Sequence, residues 1–450
     1  MPGPPLQPGQ TITLHLDSLA VGGEAVGRHE GLAVFAMFGC PGDDAEVEIT
    51  EVAPRFARGV VRRVVTPSPD RVEPPCPHFG ECGGCQWQHI SYQAQLRHKA
   101  AMVSDAVSRI GGLSDVEIGE AWGTDNPWLY RGRAEYRSAL GADGQVALGF
   151  ARHHSHQIVP LRECRLQHPL SERVRTVLLS LLPRVAQTAE ERAALLKLET
   201  AVSFAENRAV ATLVCDGRPA FVLSAAEALM AETPELAGVC AARQRGRGAV
   251  RRSPAELVAG DPYLTEQLGQ ARYRVGPDSF FQVNPAQAAR ILSLVLDWAE
   301  VRSSDVIVDA YCGVGMFLLP LSRTAKAGVG IESDDAAISD ARANLRQWRL
   351  SNVTLYRGRV DHVLPRLAER DLRPDVIVLD PPRKGCGAIV CAAAARLRPR
   401  RILLLSCHPA TLARDLKSLA EHGYPARRLR PVDMFPQTWH TEVVAVCERV

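Results

Sequence analysis

From about Tyr273 to the end, short β-branched apolar runs alternate with helical stretches, and this alternation constrains the fold more than any other feature. The apolar runs are Val306–Val308, Gly328–Ile331, Val353–Tyr356, Val376–Leu379 and Ile402–Leu405. Helical patterns intervene at Pro285–Ala299, Asp334–Trp348 and Pro409–Glu421. Strands alternating with helices of this length predict an α/β unit with a doubly wound parallel sheet over residues 271–450. A last pair of strands, near Ala426–Pro431 and Thr441–Cys447, closes the chain.

The preceding residues read differently. Thr11–Leu16, Gly31–Phe38, Asp44–Thr50 and Gly59–Val65 are β-like and separated by Gly, Pro and Asp turns. They predict a small all-β barrel of the oligonucleotide-binding type over 1–66, after a disordered Pro- and Gly-rich start of eight residues. A proline-rich linker and a cysteine-rich run fill 67–95. Ser91–Ile110 reads as an amphipathic helix. Strands at Arg133–Leu140, Gln145–Phe150 and Ala209–Cys215, with a helical stretch near Leu170–Leu198, make 96–270 a central α+β region.

A chain of 450 residues accommodates such a division. No apolar run reaches the length of a membrane span, and the N-terminus lacks the pattern of a secretory signal. A cytoplasmic, monomeric protein without membrane contact is expected. The formal charge of +3 does not by itself point to nucleic acid. Arginines cluster, however, at Arg243, Arg245, Arg247, Arg251 and Arg252, and at Arg396, Arg398, Arg400 and Arg401. Each cluster reads either as phosphate contacts or as solvated surface.

The segment VIVDAYCGVGMFLLPLS places Asp309 at a strand end, then Gly313 and Gly315 in a turn, then a helix. Glycines there let a cofactor approach the backbone. Glu332 ends the next strand, where a carboxylate can grip ribose hydroxyls. A dinucleotide calls for a third glycine where Leu318 stands, and for a site that accepts pyrophosphate. The acidic rim of Asp309, Glu332 and Asp380 suits the positive sulfonium of S-adenosylmethionine better.

Two further strands end in reactive sequence. PDVIVLDPPRKG delivers Asp380 and Arg383, and RILLLSCHPATL delivers Cys407. A cysteine between a strand end and a helix start is expected to have a lowered pKa. Downstream, VDMFPQTWHTEVV holds His440 and Glu442. Glu442 opens an otherwise apolar strand, where partial desolvation suits a general base.

Twelve cysteines in a chain without secretory features point to metal or catalysis rather than disulfides. Cys40, Cys215, Cys240, Cys386, Cys391 and Cys447 are scattered and read as buried filler. CPHFGECGGC spaces Cys76, Cys82 and Cys85 as C-x5-C-x2-C, and Cys164 offers a fourth ligand. This spacing alone leaves zinc and an iron–sulfur cluster both open.

Together, DPPRKG (Asp380–Gly385), SCHPAT (Ser406–Thr411), DMFPQTWHTE (Asp433–Glu442) and FFQVN (Phe280–Asn284) resemble the S-adenosylmethionine-dependent RNA uracil-5-methyltransferases. The resemblance implies a Rossmann-like class I methyltransferase domain over 271–450. It implies that Cys407 adds to uracil C6 and Glu442 removes the C5 proton. It also places Gln282, Tyr311, Glu332 and Asp380 at the cofactor or substrate edge. The segment LAVGGEAVGRHEGLAVFAMFGCPGD resembles a TRAM domain, an RNA-binding barrel. Family members with this cysteine spacing carry a 4Fe–4S cluster, so the resemblance implies one on Cys76, Cys82, Cys85 and Cys164. The combination with TRAM implies large-subunit ribosomal RNA as partner, with tRNA the alternative. The chain departs from the family pattern at His408, Leu404, Met316 and Arg359, where asparagine, tyrosine, asparagine and a polar Asn or Asp are usual.

Overall fold

A computed structural model describes residues 6–246, 252–370 and 372–450. Strands β1 (Thr11–Leu19), β2 (Ala25–His29), β3 (Leu32–Met37), β4 (Asp44–Ala53) and β5 (Phe56–Thr66) close into a barrel in the order β1-β2-β3-β5-β4. Alternation drives closure. Ile12, Leu14 and Leu16 point inward from β1 and Ala45, Val47 and Ile49 from β4, with polar residues between them. Part of the opening segment expected to be disordered, residues 1–5, lies outside the described residues, whereas Leu6 is buried in the barrel core. The proline-rich linker is not a free tether. Arg71 donates to the buried Asp43 carboxylate and the Phe38 carbonyl, which pins it to the barrel.

Next come α1 (Tyr92–Arg109), β6 (Glu117–Ile118), β7 (Arg133–Leu140), β8 (Val146–Ala151), β9 (Ile158–Pro160), α2 (Pro169–Val185), α3 (Ala189–Ala193), β10 (Leu195–Ser203), β11 (Arg208–Cys215), α4 (Phe221–Glu232), β12 (Leu236–Arg243) and β13 (Glu256–Gly260). Seven of these strands form a sheet in the order β13-β12-β11-β10-β7-β8-β9. Helices α2 and α4 cover one face through Val174, Leu178, Ala225 and Leu229. The helical stretch expected to reach Leu198 ends at Val185. The residues from Leu195 pair instead with β7 and β11, because their inward side chains alternate with period two.

The last unit comprises a hairpin of β14 (Leu264–Leu268) and β15 (Ala271–Val275), then α5 (Pro285–Ala299), β16 (Val306–Ala310), α6 (Leu318–Thr324), β17 (Ala327–Glu332), α7 (Asp335–Gln347), β18 (Val353–Arg357), α8 (Val360–Glu369), β19 (Val376–Leu379), α9 (Gly387–Arg396), β20 (Arg401–Ser406), α10 (Pro409–Glu421), β21 (Ala426–Val432) and β22 (Glu442–Glu448). The eight-stranded sheet runs β18-β17-β16-β19-β20-β22-β21-β6. Strands β16 to β20 are parallel, and β22 enters antiparallel between β20 and β21. Successive residues bury opposite faces: Ile307 and Leu403 pack toward α5 and α6, and Val308 and Leu404 toward α8 to α10.

Residues 92–118, placed from sequence mostly in the central region, join this last unit. Val103 and Val107 of α1 enter its core, and β6 pairs with β21. Among the described residues, no helix is long and apolar enough to cross a membrane.

One buried ion pair ties α1 to the segment after β21. Lys99 Nζ meets the Asp433 carboxylate, both side chains being fully buried, and also donates to the Phe435 carbonyl at 3.1 Å. Removing one partner of such a pair strands a buried charge. Lys99→Ala is therefore expected to lower the unfolding free energy by about 3–5 kcal/mol in urea denaturation.

Candidate active site

The parallel strands deliver their last residues to one edge, where open α/β sheets bind ligands. After β16 the chain turns sharply at Tyr311–Met316. Gly313 and Gly315 adopt φ of 54° and 98°, and Tyr311 holds φ 74° without being glycine. A Cβ on Gly315 would strike Leu319, whereas one on Gly313 would meet nothing within 4 Å. Gly315 thus packs the turn on α6, and Gly313 leaves open backbone for a ligand. The Glu332 carboxylate accepts from the Gly313 amide at 3.0 Å and the Asp334 amide at 2.8 Å. It therefore stands beside that backbone, at the end of β17.

Three carboxylates converge near this edge, Asp309 and Glu442 buried and Asp380 half-buried. Asp309 is fully buried, and neither of its carboxylate oxygens has a hydrogen-bond partner among the described residues. Burial first, then the charge of Asp380, pushes its pKa well up. Burial pushes Asp380 up to about 7. Glu442 is raised by burial and then by Asp380. Such a rim fits a cation such as a sulfonium and repels a pyrophosphate. Leu318, at the third glycine position of a dinucleotide turn, is wholly buried in the core.

Gln282 lies in the loop between β15 and α5. Tyr273 Oη donates to the Met316 carbonyl at 2.8 Å, which ties the start of that loop to the glycine turn. Phe280, two residues before Gln282, is 69% exposed. Met316 is buried, and Leu404 is core and fully buried. Arg359 pairs with Asp361 in solvent.

Strand register places Cys407 and Glu442 together. Ser406 pairs with Val443, so the next residues of β20 and β22 oppose each other where the ladder ends. The lowered cysteine pKa expected from sequence is not found. Burial first, then Glu442, pushes the Cys407 thiol up to about 11, and Arg383 pulls the other way. The helix end that was to supply positive potential begins with Pro409, which has no N–H to offer. Cys407 is therefore held as a thiol.

His408 and His440 flank this corner. Their rings meet Trp439 at centroid distances of 6.1 Å, edge-on, and 4.1 Å, tilted. His408 Nδ1 is buried without a partner. His440 Nε2 lies 3.4 Å from Arg383 Nη2. Burial, then Arg383, pushes His440 down to about 3, so its ring is neutral at ordinary pH. Sequence reading named Arg383 only as part of its motif. Its contact with His440 joins residues 57 apart in the chain and leaves no local signal.

Cys76, Cys82, Cys85 and Cys164 line one cavity of about 420 Å³. Gly83 lies close on β8, where a Cβ would come 2.9 Å from the Ala151 carbonyl. Burial raises Cys82, Cys85 and Cys164, the last to about 12, and neighbouring thiols add to the effect. Among the described residues, no three His, Cys, Asp or Glu side chains are gathered into a ready-made grip for a metal ion. Arg383 and His440 line the same cavity, so the cysteine loop and the Cys407 corner share a wall. Five of the six scattered cysteines are buried, and Cys386 is half-buried.

The arginine clusters are in part structural. Arg252 pairs with Glu199 and Asp278, Arg400 with Asp305, and Arg401 with Glu300 and Glu448. Arg247 and Arg251 lie outside the described residues.

The doubly wound sheet and its acidic, glycine-lined edge define a class I methyltransferase, the class that uses S-adenosylmethionine. Residues 91–450 match the family described as tRNA (Uracil-5-)-methyltransferase, and residues 5–61 match the TRAM domain. An RNA methyltransferase of Gloeobacter violaceus is 35% identical, with 100% of each chain covered. One of Thermosynechococcus vestitus is 37% identical over 98% of each. The chain belongs to the tRNA (Uracil-5-)-methyltransferase family, whose members are S-adenosylmethionine-dependent RNA methyltransferases, and carries an N-terminal TRAM domain. Its fold is shared by the Pyrococcus abyssi tRNA (uracil-54, C5)-methyltransferase in complex with S-adenosyl-L-homocysteine. That match has a TM-score of 0.75 at 24% identity, covering 97% of this chain and 99% of the other.

The Cys407 environment yields a pH signature. Alkylation of Cys407 by iodoacetamide, followed by peptide mass mapping, is expected to accelerate with pH toward about 11. Glu442→Gln removes a like charge and should move that midpoint down.

Proposed function

We propose that this protein methylates C5 of a uridine in RNA, with Cys407 as nucleophile and Glu442 as the base. The observation that carries the reading is the facing of these two residues at the end of the β20–β22 ladder. Asp309, Tyr311, Gly313, Gly315, Glu332 and Asp380, with Gln282 on the adjoining loop, form the cofactor and substrate edge. Bound there, S-adenosylmethionine supplies a methyl carbon on a sulfonium.

Cys407 releases its thiol proton to water and Sγ bonds to uracil C6. The C5=C6 electron pair moves toward C5 and O4, which makes C5 nucleophilic. C5 takes the methyl carbon, whose former bond pair stays on the departing sulfur. Glu442 then accepts the C5 proton, C5=C6 reforms, and the Sγ–C6 bond breaks. A raised pKa makes Glu442 a stronger base for this C–H than a solvated carboxylate. His408, with its free Nδ1, stands in for the asparagine of the family pattern as a polar contact near the thiol. The target base must leave its stack to reach this corner, and exposed Phe280 offers it a stacking face.

Cys76, Cys82, Cys85 and Cys164 are the ligands of a 4Fe–4S cluster in this reading. Four thiols around one cavity support it. A cubane takes one thiolate per iron and so wants its ligands spread around the cluster rather than drawn onto a single ion. Large-subunit ribosomal RNA is the proposed substrate, supported by the TRAM domain together with these cysteines. Transfer RNA is the second reading, because the Pyrococcus abyssi protein that shares the fold is a tRNA (uracil-54, C5)-methyltransferase.

Methyl transfer from labelled S-adenosylmethionine, assayed on unmodified ribosomal and transfer RNA, tests substrate and activity together. Cys407→Ala is expected to abolish transfer, and Glu442→Gln to accumulate a heat-stable RNA–protein adduct. Turnover by Cys407→Ala would overturn the mechanism. Anaerobically purified protein should be brown, with about four irons per chain; a colourless protein with stoichiometric zinc would replace the cluster.

A further inference from the structure

Residues 433–440 join β21 to β22 and lead into His440 and Glu442. Their main chain is held largely from outside, by residues 86–99 and Tyr130. Gln437 is the centre of that grip. It is 3% exposed and holds φ 70°, a left-handed conformation unusual for a residue with a Cβ. Its carbonyl accepts from the amides of Gln86 at 3.2 Å and Trp87 at 3.0 Å. Its amide donates to Gln95 Oε1, and its own Oε1 accepts from Gln95 Nε2, both at 3.0 Å. Gln95 Nε2 is fixed in turn by the carbonyls of Trp87 and Ile90. Beside Gln437, Tyr130 Oη donates to the Pro436 carbonyl and Lys99 Nζ to the Phe435 carbonyl, each at 3.1 Å.

Two of these donors, Gln86 and Trp87, directly follow Cys85. The turn that carries a cysteine of the shared cavity is thus hydrogen-bonded to a residue five positions before Glu442. Cys407 sits on the other strand of the ladder and takes no part in this grip. We propose that Gln437 is a positioning residue for proton abstraction: the Cys85–Trp87 turn and Gln95 hold it left-handed, and that conformation aims Glu442 at the C5 proton. The proposal rests on Glu442 acting as the base.

The test separates the two chemical steps in the full-length protein. RNA transcribed with 5-fluorouridine has no C5 proton to remove, so its adduct reports Cys407 addition and methyl transfer without proton abstraction. Ordinary RNA of the same sequence reports the complete cycle. Glycine adopts φ 70° freely and keeps three of the four hydrogen bonds of Gln437, whereas valine resists that conformation. Gln437→Gly is expected to turn over within about threefold of the parent, and Gln437→Val at least about tenfold more slowly. Both should form the fluorouridine adduct at rates within about twofold of the parent. Gln95→Ala should behave like the valine variant. Equal turnover of the glycine and valine variants, or a loss of adduct formation that matches the loss of turnover, would overturn the positioning role. If the parent protein forms no adduct on fluorouridine RNA, the Cys407 mechanism falls, and this proposal with it.

Discussion

The register of β20 against β22 is the constraint on which the site depends. Side chains alternate along a strand, so a slip of one residue would turn Glu442 to the opposite face from the one that meets Cys407. Apolar character does not prevent such a slip, because the strand is apolar on both faces: Val443 and Ala445 enter one core, Val444 and Val446 the other. Both cores would stay apolar after a slip, but the ladder end and the loop before Glu442 would not fit. The fixed loop and the fixed ladder together therefore select one pairing.

Around that pairing the protein keeps charge in an unsettled state. Asp309 and Glu442 are buried and Asp380 half-buried, all without a paired cation among the described residues, and Cys407 stays protonated beside them. Such burial is unfavourable in isolation. In the proposed reaction it serves when a cation arrives at the strand edge and when a proton is taken from carbon. Features that look poorly satisfied here are the ones the proposed chemistry calls on.

The N-terminal barrel and the cysteine loop reach this centre by direct contact. Trp87 Nε1 donates to the Gly23 carbonyl, so the barrel is joined to the cysteine turn. A Cβ on Gly23 would come within 3.1 Å of Trp439, the ring against which His408 and His440 pack. Glycine is required at that point because the backbone approaches so closely, at φ 94°. The TRAM domain is thereby built into the wall of the Cys407 corner instead of hanging from a tether.

Much of this was legible in the sequence. The alternation of β-branched runs with helices determined the doubly wound sheet, because burial on both faces leaves only apolar residues in a strand. Pro285–Ala299 and Pro409–Glu421 were readable as helices because proline opens each. Helix α8 was missed because Pro365 interrupts its pattern, and α9 because its Ala-rich run is short. The motifs singled out Cys407, Glu442 and the four cysteines as candidates through their resemblance to the family. Only the tertiary structure decided the protonation of Cys407, the partners of Gln437 and the burial of Lys99 against Asp433. Each of these depends on groups brought together from distant parts of the chain, 334 residues apart for the ion pair. A pKa or a left-handed turn is set by such neighbours, and no local pattern encodes them.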